Sequence, residues 1–159
     1  MPDIALQVPV TYQPLTIPLG VRCAQRRTPH KLALIEGDRT RSYSELCDRM
    51  TRLHWLGLGA LGLRFGDHVA VVGPNCIEYL EVVLGLSEVG IASATLSHRL
   101  NSTELAEICD DARAKVLFAH ESCRATVDAA RFATVREVIW FGADFEARLA
   151  AAAPLTPER

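Results

Sequence analysis

From Asp67 onward, short apolar runs alternate with capped helical segments. That alternation narrows the chain to an α/β fold, a mostly parallel sheet with flanking helices joined by right-handed crossovers. Val69–Val72 has the character of a buried strand, Ile91–Leu96 and Lys115–Ala119 follow it, and Glu137–Phe141 closes the series. Between them, Asn75 and Glu78 have the spacing of a helix cap ahead of Ile77, Leu80, Val83, Leu84 and Leu86. Asn101-x-x-Glu104 opens a further capped helix with Leu105, Ile108 and Ala112 on one face, and His120–Ala130 reads as another. An Ala-rich helix, Asp144 to Ala153, ends the pattern before Pro154. Upstream, Thr16–Thr28 is helical and stops at Pro29, and Leu32–Ile35 with Thr40–Tyr43 flanks a hairpin turn at Gly37-Asp38-Arg39. Ser42-x-x-Glu45 is a capping box ahead of Leu46, Met50 and Leu53, a helix expected to fray through Gly57-Leu58-Gly59 and to end by Gly62.

The expected organisation is an extended arm over residues 1–15, one α/β unit over 16–153 and a linker-like tail over 154–159. At 159 residues the chain is long enough to bury roughly 70% of its unfolded surface. With 49% hydrophobic and 23% charged residues it belongs with globular rather than disordered chains. Seventeen basic against nineteen acidic residues leave a net charge of −2, which gives no electrostatic reason to expect nucleic acid or an anionic membrane as partner. Ile4 to Val21 carries no Asp, Glu, Lys or Arg, but Pro9, Pro14 and Pro18 would break a spanning helix, and no membrane span is expected. The five cysteines, Cys23, Cys47, Cys76, Cys109 and Cys123, are scattered without a C-x-x-C. That usage points to reduced thiols in the cytoplasm, not to a disulfide framework or zinc site.

Several groups invite a functional reading. Gly57-Leu58-Gly59-Ala60-Leu61-Gly62 spells G-x-G-x-x-G, but it closes a helix and precedes a strand. A dinucleotide site needs the reverse order, with helix N–H groups facing the pyrophosphate, so an oxidoreductase built on these glycines is set aside. Gly73-Pro74-Asn75 lies where open α/β sheets place ligands, yet Pro74 lacks an N–H and no Lys follows to cradle a phosphate, which leaves Asn75 as a helix cap. Asp110-Asp111 reads as a solvated helix end, and Ser97-His98-Arg99 as loop polarity past a strand. Cys76 combines a helix N-terminus, which lowers a thiol pKa, with apolar neighbours, which raise it. None of these assigns a catalytic, cofactor-binding or metal-ligating residue.

An ordered set of segments carries a family resemblance. It comprises Ala33-Leu34-Ile35, Tyr43-Ser44-Glu45-Leu46, the run from Leu61 through Gly66-Asp67-His68-Val69-Ala70-Val71-Val72, and Pro74-Asn75-Cys76-Ile77-Glu78-Tyr79-Leu80. Gly90, Arg99-Leu100, Glu104-Leu105, Asp111-Ala112 and Lys115-Val116-Leu117 complete it. From about Thr16 to near Ala153 the chain resembles the N-terminal region of AMP-forming acyl-CoA synthetases, within the adenylate-forming superfamily. It departs from the family at Thr95-Leu96-Ser97-His98-Arg99-Leu100, where Pro-Leu-Asn-Pro-Arg-Leu is usual.

The resemblance implies the N-terminal subdomain portion of the adenylate-forming synthetase fold. It also implies ATP-dependent activation of a carboxylic acid, fatty or aromatic, to acyl-AMP, then a thioester with CoA, with Mg assisting. The family's phosphate loop, T-S-G-T-T-G-x-P-K-G, lies just beyond the region matched, and nothing like it occurs in residues 1–159. The expectation is therefore an N-terminal fragment of such a ligase that binds no cofactor alone and is inactive alone. Its expected partner is the remainder of the synthetase, or a second copy through an exposed apolar face. The alternative is a free-standing, non-catalytic α/β interaction domain derived from that family.

Overall fold

The computed structural model describes residues 16–152, so the arm at 1–15 and the tail at 154–159 lie outside the described residues. Helix α1 (Ile17–Arg27) starts at Thr16, whose side chain accepts from Leu19 N, and carries Pro18 in its first turn, where a missing N–H costs nothing. Strands β1 (Leu32–Glu36) and β2 (Arg39–Ser42) form a two-stranded antiparallel sheet. Helix α2 (Tyr43–Trp55) begins at the expected capping box. Glu45 N donates to Ser42 Oγ, and Ser42 N and Oγ donate back to the Glu45 carboxylate, which holds that carboxyl below its ordinary range. Its end does not fray. Leu56–Ala60 continues as one turn of π-helix, and Gly57 lies against Leu86, where a Cβ would come within 2.8 Å of that side chain's methyl.

The main sheet is parallel, in the order β4 (Ala92–Ser97), β3 (His68–Gly73), β5 (Ala114–Ala119), β6 (Glu137–Trp140). Helices α2, α3 (Ile77–Glu88) and α6 (Ala143–Ala151) cover one face, burying Leu53, Val82, Leu86, Phe145 and Leu149 against Val69, Val71, Val116, Phe118 and Ile139. Helices α4 (Ser102–Asp111) and α5 (Arg124–Ala129) cover the other, where Leu105, Cys109 and Val127 meet Ala70, Val72, Leu117 and Ala119. Helix α4 opens at the expected Asn101–Glu104 box but buries Leu105, Ala106 and Cys109, leaving Ile108 largely exposed. The helix expected over His120–Ala130 is a 3-10 turn, Glu121–Cys123, followed by the short α5.

Helix α3 departs most from expectation. Its N-cap is Cys76, not Asn75, and makes no side-chain cap. Instead Glu36, from β1, accepts from Ile77 N at 3.0 Å. The helix also turns an unexpected face inward: Glu78 and Glu81 are buried, while Leu80 is exposed. Each inward carboxylate meets arginine. Glu78 takes a hydrogen bond from Arg39, and Glu81 takes them from Arg49 Nε at 2.5 Å and Arg41 Nε at 3.2 Å. Arg49 also reaches Glu146 on α6 at 2.6 Å and lies over the Phe145 ring. Burial raises the Glu81 carboxyl despite Arg49, whereas Glu78, whose burial acts in the same sense, is held low by Arg39. At the far end of α3, Glu88 is bonded to Arg22 of α1 at 2.8 Å and lies 3.0 Å from His54 Nε2. Burial works to raise its pKa, but these partners hold it down at about 2.

Arg49→Ala removes the main counter-charge of a fully buried carboxylate and should cost about 3 kcal/mol or more, read from urea unfolding. Glu88 gives a pH signature. Its folded pKa of about 2 lies below the ordinary 4.5, so its stabilisation is complete above pH 4.5 and lost as pH falls toward 2. The stability gap between the wild-type chain and Glu88→Gln should therefore be widest near neutrality and close across that window.

Candidate functional site

Strand order and helix placement locate one crevice. After β3 the chain turns onto the face of α3, and after β5 it turns onto the face of α5, so the loops at 73–76 and 120–123 diverge at the carboxyl ends of adjacent strands. In open α/β sheets this switch point is where ligands bind. Gly73 and His120 approach each other closely there. His120 N donates to Val72 O at 2.9 Å, and a Cβ on Gly73 would sit 2.7 Å from His120 Cβ, so only glycine admits this approach.

The imidazole of His120 has a defined role in the turn. Its Nδ1 accepts from Ser122 N at 3.1 Å and lies 2.8 Å from Ser122 Oγ. A nitrogen that accepts from a backbone N–H carries no proton, which leaves Nε2 as the ring's donor. From the sequence His120 reads as the start of a helix. A polar residue directly after the apolar strand Lys115–Ala119 was the available signal.

The groups singled out from the sequence fall elsewhere or are occupied. Ser97 accepts from Arg99 N at 3.2 Å in the turn after β4, and His98 is exposed beside it without forming a dyad. Asp110 is more than a solvated helix end: it accepts from Ala133 N and Thr134 N and from the Thr134 hydroxyl, which together lower its pKa, while Asp111 is exposed. Burial pushes the Cys76 thiol up to about 11, against any effect of the helix terminus, and Cys109 up to about 12. Cys47 and Cys123 are raised for the same reason, so these four thiols are not thiolate nucleophiles near neutral pH. Gly57, Gly59 and Gly62 lie in and just after the π-turn that leads toward β3, at the opposite end of that strand from the crevice.

The residues present do not fit a nucleoside triphosphate. The first free N–H of α3, where an anion would sit, is taken by the Glu36 carboxylate, and the Gly73-Pro74-Asn75 turn supplies no lysine. Among the described residues no group of His, Cys, Asp and Glu is arranged to hold a metal ion. What the switch point offers is the His120 imidazole after β5 and an exposed Asn75 on the loop that leaves β3.

The family model for AMP-binding enzymes matches residues 21–155. The chain is 39% identical over 92 residues to feruloyl-CoA synthase of Amycolatopsis sp, a match covering 58% of this chain and 18% of that protein. It is 33% identical over 100 residues to 2-succinylbenzoate–CoA ligase of Oceanobacillus iheyensis, covering 62% of this chain and 21% of that protein. The N-terminal domain of FACL13 from Mycobacterium tuberculosis superposes with a TM-score of 0.80 at 25% identity, covering 89% of this chain and 37% of that structure. The chain thus spans about a fifth of the length of the curated relatives it matches.

Gly73→Ala should destabilise the chain by about 1–3 kcal/mol through the His120 clash. It should also displace the imidazole, seen as a changed His120 ring signal in NMR spectra whose other histidines keep their shifts.

Proposed function

The chain belongs to the AMP-binding enzyme family, as the N-terminal part of the AMP-binding domain of acyl-CoA synthetases, and from this premise we propose that it serves as the α/β frame of an ATP-dependent carboxylate–CoA ligase. In that reaction a carboxylate attacks the α-phosphorus of ATP, pyrophosphate leaves, and the acyl group of the resulting acyl-AMP passes to the CoA thiol. ATP, Mg and CoA are the cofactors of that activity. The names of the relatives support an aromatic or fatty acid as the substrate.

The chain's own contribution is positional. Its parallel sheet sets the carboxyl ends of β3 and β5 side by side, and the buried ion pairs of α3 fix the loop that leaves β3. The observation that carries the proposal is the family match from residue 21 to 155 on a fold whose helix terminus nearest the crevice is closed by Glu36. No phosphate-binding step is assigned to these residues. Adenylation is assigned to segments outside this chain, and the remainder of a synthetase is its proposed partner.

Two features support a reducing, cytoplasmic setting. All five cysteines are free thiols, and among the described residues no helix is long and apolar enough to cross a membrane. One observation favours the second reading, a non-catalytic interaction domain: both faces of the sheet are already covered by the chain's own helices.

ATP–pyrophosphate exchange with ferulic and fatty acids decides between them. The chain alone should be silent. Substituted for the matched segment of the Amycolatopsis feruloyl-CoA synthase, it should support acyl-CoA formation. Exchange by the chain alone would overturn the positional role, and a soluble but inactive chimera would favour the interaction domain.

A further inference from the structure

Helix α1 packs on α2 and α3 through the side that buries Pro18 and sends Arg22 to Cys47 O, Thr51 and Glu88. A second side is apolar. Ile17, Gly20, Val21 and Ala24 follow the i, i+3, i+4, i+7 spacing of one helix face, and with Thr16 and Tyr43 they line a groove of about 430 Å³. No charged residue lines it, and Ile17 is 76% exposed.

Gly20 lacks a reason within the described fold. Glycine is, after proline, the poorest former of a helix, yet it stands inside α1. A Cβ there would meet no atom of the described residues within 4 Å. A chain lying close against the helix would supply the reason. The protein carries such a chain at the right place. Residues 1–15 lead into Thr16, which caps α1 and lines the groove, so the segment is tethered there at roughly millimolar effective concentration. From Ile4 to Leu15 it has no Asp, Glu, Lys or Arg, matching an uncharged groove. Thr16 to Ala24 spans about 12 Å of helix, which about four extended residues cover, so the arm is long enough to turn back along it. Extended alternation puts Val10, Tyr12 and Pro14 on one side, and Pro14 suits the bend, its φ being pre-set for the second position of a turn.

We propose that residues 10–15 fold back along α1 and seat Tyr12 against Gly20 and Ala24, so that the chain closes the groove with its own arm. The ring fills the open space over Gly20 and lays its apolar body on Ala24, while its hydroxyl stays at the rim in water. Pro9 and Pro14 favour an extended backbone and present no N–H that would need a partner against an apolar surface.

Limited chymotrypsin digestion of the full chain tests this, because Tyr12 is a cleavage site within the arm. Gly20→Leu fills the groove with a better helix former whose Cβ enters open space, so far-UV circular dichroism should stay near wild type. Cleavage after Tyr12 should be slow in the wild-type chain and about tenfold or more faster in the variant, since it follows the population of released arm. Tyr12→Asp is a second variant, outside the described fold. It should remove the ring-current shift of the Ala24 methyl and a nuclear Overhauser contact between that methyl and the Tyr12 ring, both independent of protein concentration. An Ala24 methyl that ignores Tyr12→Asp overturns the proposal and leaves the groove to other segments of a synthetase. Slow cleavage unaltered by Gly20→Leu seats the arm elsewhere and overturns it as well. A Tyr12–Ala24 contact that grows with concentration assigns the groove to the arm of a second copy, against closure within one chain. None of these readouts depends on adenylation, so the two readings fail separately.

Discussion

The pairing of Glu81 with Arg49 and Arg41 is the constraint on which the rest of the arrangement depends. Helix α3 has apolar residues on all sides, so hydrophobic burial alone does not decide which face turns inward. The carboxylates decide it. With Glu78 and Glu81 turned toward β2 and α2, Arg39, Arg41 and Arg49 find partners at once, and Arg49 carries the connection on to Glu146 of α6. A buried ion pair rarely adds net stability over a well-packed apolar pair, but an unmatched buried charge is expensive. We read the cluster as the device that selects one rotation of α3 over its competitors. That rotation then sends the apolar stripe of Leu80 and Leu84 outward.

This explains what the sequence revealed and what it concealed. The two caps whose partners lie three residues apart, Ser42 with Glu45 and Asn101 with Glu104, were legible because the interaction is local. The strands were legible because parallel strands buried on both faces read as short continuous apolar runs. The cap of α3 was not legible, because its donor is at Ile77 and its acceptor at Glu36. The inward face of α3 was misjudged for a related reason. Periodicity places Leu80 and Leu84 in the core, and only the distant arginines of β2 and α2 reverse that choice.

The crevice was half legible. Its position follows from strand order, which sequence suggests only as alternation, and its loop at Gly73-Pro74-Asn75 stood out by composition. The contact of Gly73 with His120 could not be read, since 46 residues lie between them and two helices and two strands begin there. Asp110 shows the same limit on a smaller scale: one carboxylate at a helix end looks solvated until the turn at 133–134 folds onto it.

The Glu36–Ile77 hydrogen bond has a kinetic consequence. A helix normally carries its own N-terminal cap and can complete its first turn as soon as the local chain is ordered. Here the acceptor arrives only when a loop of about 40 residues has closed. The first turn of α3 is therefore tied to docking of the β1–β2 hairpin, and the hairpin, marginal as an isolated two-stranded sheet, gains its anchor from the same event. Neither element has an early, independent existence to protect. A disturbance that loosens the hairpin will open the adjoining loop after β3, so that the mouth of the crevice and the small sheet form one cooperative unit.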